Sequence, residues 1–204
     1  EEEWDKVLGV HLYGAYNMVK HCVTPMMSKG YGRIALLSSI SGLGSIGQSN
    51  YSAAKEGMVG FVHSLAAELE PHGISINAVY PSADTRMTAS ISEATKQRLR
   101  AREETTKEEE ITSFHHSSPR EPDEARLPEN NAPKIVYLCT EYGGATTGQV
   151  IGSGRWSFIL YSQRQSTKRI HKKGCWTLDE LDKLIPVSLA SELYNPSPTE
   201  PPSQ

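Results

Sequence analysis

The chain has 204 residues, 37% of them apolar and 22% charged, with three cysteines. That is room for one globular domain with appendages, and it excludes collagen-like, disulfide-stapled and wholly disordered readings. A formal net charge of −3 and a single short basic cluster, Lys168-Arg169 with Lys172-Lys173, give no surface for nucleic acid. Apolar runs such as 34–37 and 158–161 fall far short of the ~20 residues that cross a bilayer, so no membrane partner is expected.

In chain order, Trp4, Val7, Leu8, Leu12, Ala15, Met18, Val19 and Val23 recur at threes and fours, predicting an amphipathic helix over 4–23 that ends before Pro25. The start Glu1-Glu2-Glu3 is acidic where a secretory leader is basic and then apolar, and the first methionine is Met18; the chain reads as a fragment of a longer protein. Gly32-Arg33 then opens Ile34-Ala35-Leu36-Leu37, the unbroken apolar run of a parallel strand buried on both faces. A Gly/Ser-rich loop over 38–49 follows. Met58, Val62, Leu65 and Leu69 predict a helix ending at Pro71 and Gly73, and 74–80 a strand that stops at Pro81.

Residues 98–131 hold nine acidic and six basic side chains but only six apolar ones, and Pro119, Pro122 and Pro128 also lie inside the stretch. Such a stretch cannot offset its ordering entropy by burial and is expected to be a mobile charged insertion. Beyond it, 134–140 reads as a helix and 148–151 as a strand, while 156–161 is expected to form a hairpin edge or to cover a substrate cleft. Thr177-Leu178-Asp179-Glu180 is a capping box opening a helix that runs to Pro186. Four prolines in 195–204 predict an extended, disordered tail. Helices and strands that alternate at this spacing imply right-handed crossovers and a parallel sheet, hence an α/β fold.

Cys22, Cys139 and Cys175 are odd in number, widely spaced and in no Cys/His ligand pattern, so neither a disulfide framework nor a metal site is expected. Reduced thiols place the chain in a cytosol-like compartment. The acidic cluster at 103–110 reads as a solvated face, and the adjacent His115 and His116 point to different sides of any regular element.

Chemistry concentrates in Asn50-Tyr51-Ser52-Ala53-Ala54-Lys55. Tyr51 and Lys55 lie four apart at the start of a helix and share a face. A phenol becomes a usable base near neutrality only when a cation or a helix N-terminus stabilises its phenolate, and this placement offers both. Such a group suits proton transfer at an alcohol oxygen. A serine at the end of the preceding strand would sit at the carboxyl edge of the sheet and reach the same oxygen.

Around that pair, Gly32-Arg33-Ile34, Ser38-Ser39-Ile40-Ser41-Gly42, Gly47-Gln48-Ser49, Ile76-Asn77-Ala78-Val79-Tyr80-Pro81 and Thr85-Arg86-Met87-Thr88 complete a pattern. Together they resemble the short-chain dehydrogenase/reductase family. Within it, Val10-His11-Leu12-Tyr13-Gly14 and Arg86-Met87-Thr88 point to the branch holding the dehydrogenase domain of the peroxisomal multifunctional β-oxidation enzyme and its bacterial relatives. The resemblance covers residues 1–152 apart from the insertion. It implies the C-terminal half of a Rossmann-type doubly wound parallel sheet, followed by a short C-terminal extension over 153–194. It also implies NAD or NADP as cofactor, an alcohol/ketone pair or an acyl thioester as substrate, and a homodimer or homotetramer paired through 4–23 and 51–70. A cytoplasmic setting, or a peroxisomal one in a eukaryote, goes with it.

Carried over by residue, the resemblance makes Tyr51 the general acid/base and Lys55 the group that tunes it and holds the nicotinamide ribose. Ser39 orients the substrate carbonyl, His11 stands where most of the family has the asparagine of a proton relay, and Pro81, Ala83 and Thr85 lie along the nicotinamide. Ser38 competes for the serine role: the family spacing to the tyrosine is met by Ser38, the Ser-x-x-Gly pattern by Ser39. The chain also lacks the glycine-rich turn that binds the dinucleotide pyrophosphate. The expected function is therefore an NAD(P)-dependent interconversion of an alcohol, such as a 3-hydroxyacyl thioester, and its ketone. The alternative is an inactive fragment that serves as an oligomerisation module, or an incomplete gene product.

Overall fold

A computed structural model describes residues 1–85 and 123–193. The expected insertion therefore lies mostly, and the expected tail wholly, outside the described residues, as do the acidic cluster, His115-His116 and Arg86-Met87-Thr88. The chain divides into two compact units, Glu1–Gln163 and Arg164–Gln204.

The first unit opens with α1 (Glu2–Leu8), a π-helical turn (Gly9–Tyr13) and α2 (Gly14–Lys29). The helix does not stop at Pro25, as the sequence suggested, but carries it inside α2. Val23 and Met26 on either side of the proline pack against the main core, and that burial offsets a hydrogen bond the proline cannot make. The true stop is Gly30, left-handed at φ +64, whose N–H returns to Met26 and Met27.

Strand β1 (Gly32–Leu37) leads through a 3-10 turn (Ile40–Leu43) into α3 (Ser49–Leu69) and, by a tight turn at Gly73, into β2 (Ile74–Ser82). Gly73 has φ +71, and a Cβ there would stand 2.3 Å from the Gly30 carbonyl, so no other residue fits between the two chain reversals. After the undescribed segment come α4 (Ala132–Leu138), β3 (Val150–Gly154) and β4 (Ser157–Leu160). The stretch at 156–161 thus forms a hairpin edge, the first of its two expected roles.

The sheet runs β1-β2-β3-β4, parallel through β3, with β4 antiparallel. Ile74 to Tyr80 are all buried, as befits a central parallel strand. Period-two alternation sends Ile74, Ile76, Ala78 and Tyr80 to one face, where Val59, Val62, Ala66 and Leu69 of α3 and Val19 of α2 meet them. Val79 and Ile151 face the other way, onto Ile135 and Leu138 of α4. Helices on both faces of an open, mainly parallel sheet make the α/β fold that the alternation predicted, in the doubly wound form that the resemblance implied.

Strand β2 outruns its expected end at Pro81. The Ala78 N–H donates to Gln149 on the β3 side, so by alternation the nitrogen of residue 81 faces the β1 side, where β1 has already ended opposite Val79. The proline costs no ladder bond there.

In the second unit, α5 (Leu178–Leu184) carries the capping box seen in the sequence, Thr177 and Glu180 each bonding the other's backbone. The Glu180 carboxyl is held at about 2 by its bond to Lys172 and by the Thr177 backbone N–H.

Candidate active site

Three elements converge on Tyr51. The phenol stands in the first turn of α3, where backbone N–H groups are unsatisfied and the helix end is partially positive. Lys55 follows one turn on and is buried; its Nζ donates to the Leu37 carbonyl at 2.7 Å and lies 5.5 Å from the Tyr51 ring centre. His11 arrives from the π turn, its ring 5.1 Å from that of Tyr51 and nearly perpendicular to it.

The π turn explains how His11 gets there. Gly14 bonds back five residues to Gly9, so one extra residue bulges the helix at Gly9–Tyr13. Leu12, next to His11, lies against α3 at Gly57, where a Cβ would come within 3.2 Å of it. The missing side chain at 57 lets the two helices approach closely enough for the rings to meet.

Burial lowers the pKa of Lys55, because an ammonium is poorly solvated there. Burial also lowers that of His11, and the neighbouring Lys55 charge lowers it further. Both effects favour the uncharged imidazole at His11.

The two candidate serines separate clearly. The Ser38 hydroxyl is buried and donates to the Lys55 backbone carbonyl at 2.6 Å, tying β1 to α3. Ser39 is extended, and its Oγ accepts from the Ser41 N–H at 3.1 Å, a bond that uses its lone pair and not its O–H. Ser39 follows the end of β1, and Pro81 and Ser82 close β2 before Ala83 to Thr85 leave it, at the same carboxyl edge of two adjacent parallel strands, which is where open α/β sheets bind ligands.

Sequence reading did not find what holds the second of these segments. Asn131 Nδ2 donates to the Ser82 carbonyl at 3.0 Å, and Asp84 is tied to Arg126 through its N–H (2.9 Å) and its carboxylate (3.2 Å). Among the described residues no group of three His, Cys, Asp or Glu side chains could hold a metal ion, and no helix is long and apolar enough to cross a membrane.

Comparison with known proteins shows which family the chain resembles. Residues 1–96 match the short chain dehydrogenase family. The chain is 36% identical over 151 residues to the 3-oxoacyl-(acyl-carrier-protein) reductase FabG of Aquifex aeolicus, covering 73% of this chain and 54% of that protein. It is 34% identical over 142 residues to the peroxisomal multifunctional enzyme type 2 of Mus musculus, covering 69% of this chain and 16% of the other. The crystal structure of a short chain dehydrogenase from Mycobacterium avium superposes with a TM-score of 0.70 at 30% identity, over 93% of this chain and 58% of that one. The chain thus spans about half the length of the bacterial relatives it matches.

Proposed function

Because this chain belongs to the short-chain dehydrogenase/reductase family, we propose that it supplies the catalytic half of an NAD(P)-dependent oxidoreductase that interconverts an alcohol and its ketone. The observation that carries the reading is the convergence of His11, Tyr51 and Lys55 beside the carboxyl edge of β1. A 3-oxoacyl or 3-hydroxyacyl thioester is the substrate class that the named relatives favour.

The residues at this edge fit the nicotinamide end of such a cofactor. A lysine ammonium has three donors and the Leu37 bond uses one, leaving two that can meet ribose hydroxyls. Ala83 and Thr85 stand on the neighbouring strand end. When bound, the dinucleotide supplies or accepts the hydride.

The chain's own groups do the rest. In the reducing direction Tyr51 Oη gives its proton to the substrate carbonyl oxygen as that oxygen gains negative charge, and in the oxidising direction it takes the proton back. Ser39 Oγ–H donates to the same oxygen and fixes its direction. Lys55 places a positive charge beside the phenol, the sign a phenolate needs. His11, neutral and packed edge-on, restricts the Tyr51 ring and offers a route for the proton.

Tyr51→Phe in the intact native protein tests the reading. Turnover should fall on the order of 10²-fold or more while the fold is kept; near-normal turnover would overturn the assignment. A second reading rests on the missing glycine-rich turn: taken alone, the 204 residues act as an oligomerisation module with no turnover of their own.

A further inference from the structure

Asn131 occupies the position just before α4, a place where asparagine ordinarily caps the helix, yet its side chain makes no capping bond. Both ends of the carboxamide are used elsewhere. Nδ2 donates to the Ser82 carbonyl at 3.0 Å, and Oδ1 accepts from Ser153 Oγ at 2.7 Å. Asn131 is 6% exposed and Ser153 wholly buried, so this polar pair is desolvated. An apolar residue at 131 facing an alanine at 153 would occupy similar space without that cost. The pair therefore calls for a reason beyond packing.

The reason lies in what it holds. Two residues past Ser82, the Asp84 N–H donates to the Arg126 carbonyl and the Arg126 guanidinium to the Asp84 carboxylate. In an extended chain the carbonyl of one residue and the N–H of the residue two further on lie along the same edge. The returning segment 123–131 thus occupies one edge of 82–84 and turns the Ala83 amide and carbonyl to the opposite edge.

Resting on the reading that this segment lies along the nicotinamide, we propose that Asn131 is a positioning residue. Through the Ser82 carbonyl it sets the path of residues 83–85 against the cofactor. Neither the acid/base group nor the substrate touches it, so its effect belongs to cofactor affinity and not to the chemical step.

Two variants test this. Asn131→Leu combined with Ser153→Ala removes the buried side-chain pair together, so any loss of thermal stability is confined to the half-buried Ser82 carbonyl, which gives up its donor. Asn131→Asp keeps the shape and the Ser153 bond but replaces the donor to Ser82 with an acceptor. In either variant the Asp84 amide should exchange with solvent about tenfold faster or more, while those of Ile76 and Ala78 keep their rates. In the intact native protein the cofactor KM should rise by about tenfold, with kcat changed by less than about threefold. An unchanged cofactor KM, or unchanged Asp84 exchange, in both variants overturns the proposal. Failure of the underlying functional reading shows separately, as turnover retained by Tyr51→Phe.

Discussion

Lys55 and His11 are neighbours whose charges compete, and acid is where that competition is felt. Burial and the Lys55 cation both hold the His11 pKa below its ordinary 6.5. Unfolding restores that value, so in the window from 6.5 down to the folded pKa the unfolded chain binds a proton that the folded chain refuses. Stability is then lost as pH falls through that window and is complete above it. His11→Asn removes the titration, so between about pH 7 and about pH 5 the wild-type melting temperature should fall more steeply than that of the variant. Parallel pH slopes in thermal melts would contradict the placement. The sequence marks Tyr51 and Lys55 by type and four-residue spacing, and His11 only through the family resemblance. It could not separate Ser38 from Ser39, since what distinguishes them is a bond from the Ser38 hydroxyl to a carbonyl 17 residues away. Asn131 was hidden for the same reason, its partners at 82 and 153 being distant in the chain.

Among the elements, α2 shows how a local stop signal can lose to burial. Pro25 is exposed on the outer side of the helix, while Val23 and Met26 reach the core. Interior proline costs a helix about 3 kcal/mol, part of which is returned by the stiffer unfolded chain, so Pro25→Ala should stabilise the fold by about 1–2 kcal/mol. Denaturant midpoints with an unchanged slope would measure it; a destabilised variant would overturn it. Strands and helices were otherwise legible in type, because the apolar periods of 2 and 3.6 are strong here, while their ends shifted by a few residues. The run to Ser82 is an example: whether Pro81 ends a strand depends on which neighbour its nitrogen faces, and that is a property of the sheet. The capping box at Thr177 was legible outright, since both partners lie within four residues.

At the scale of the whole molecule, the sheet determines what the 204 residues can do alone. Dinucleotide binding draws on both mononucleotide halves of a doubly wound sheet, and no glycine-rich phosphate turn occurs in these 204 residues. Titration of NADH into the isolated chain, followed by fluorescence, should show no saturable binding at submillimolar concentration; a micromolar dissociation constant would reveal a phosphate site elsewhere. Trp4, Val10, Tyr13 and Met18 leave apolar surface exposed along α1, the π turn and α2. We expect the intact native protein to pair through these helices and α3, as a dimer or tetramer in sedimentation at micromolar concentration. A monomer there would count against that interface. The register of the parallel strands and the two-sided covering of the sheet were legible only as a class, because pairing order is decided by contacts between elements far apart in sequence.

The hairpin of β3 and β4 gives the sheet a direction. On that side the terminal strand runs antiparallel and its edge is already turned away from the parallel ladder, whereas among the described residues the ladder simply stops at β1. A strand joining at β1 must run parallel to it to continue the ladder, which brings its carboxyl end level with Ser39.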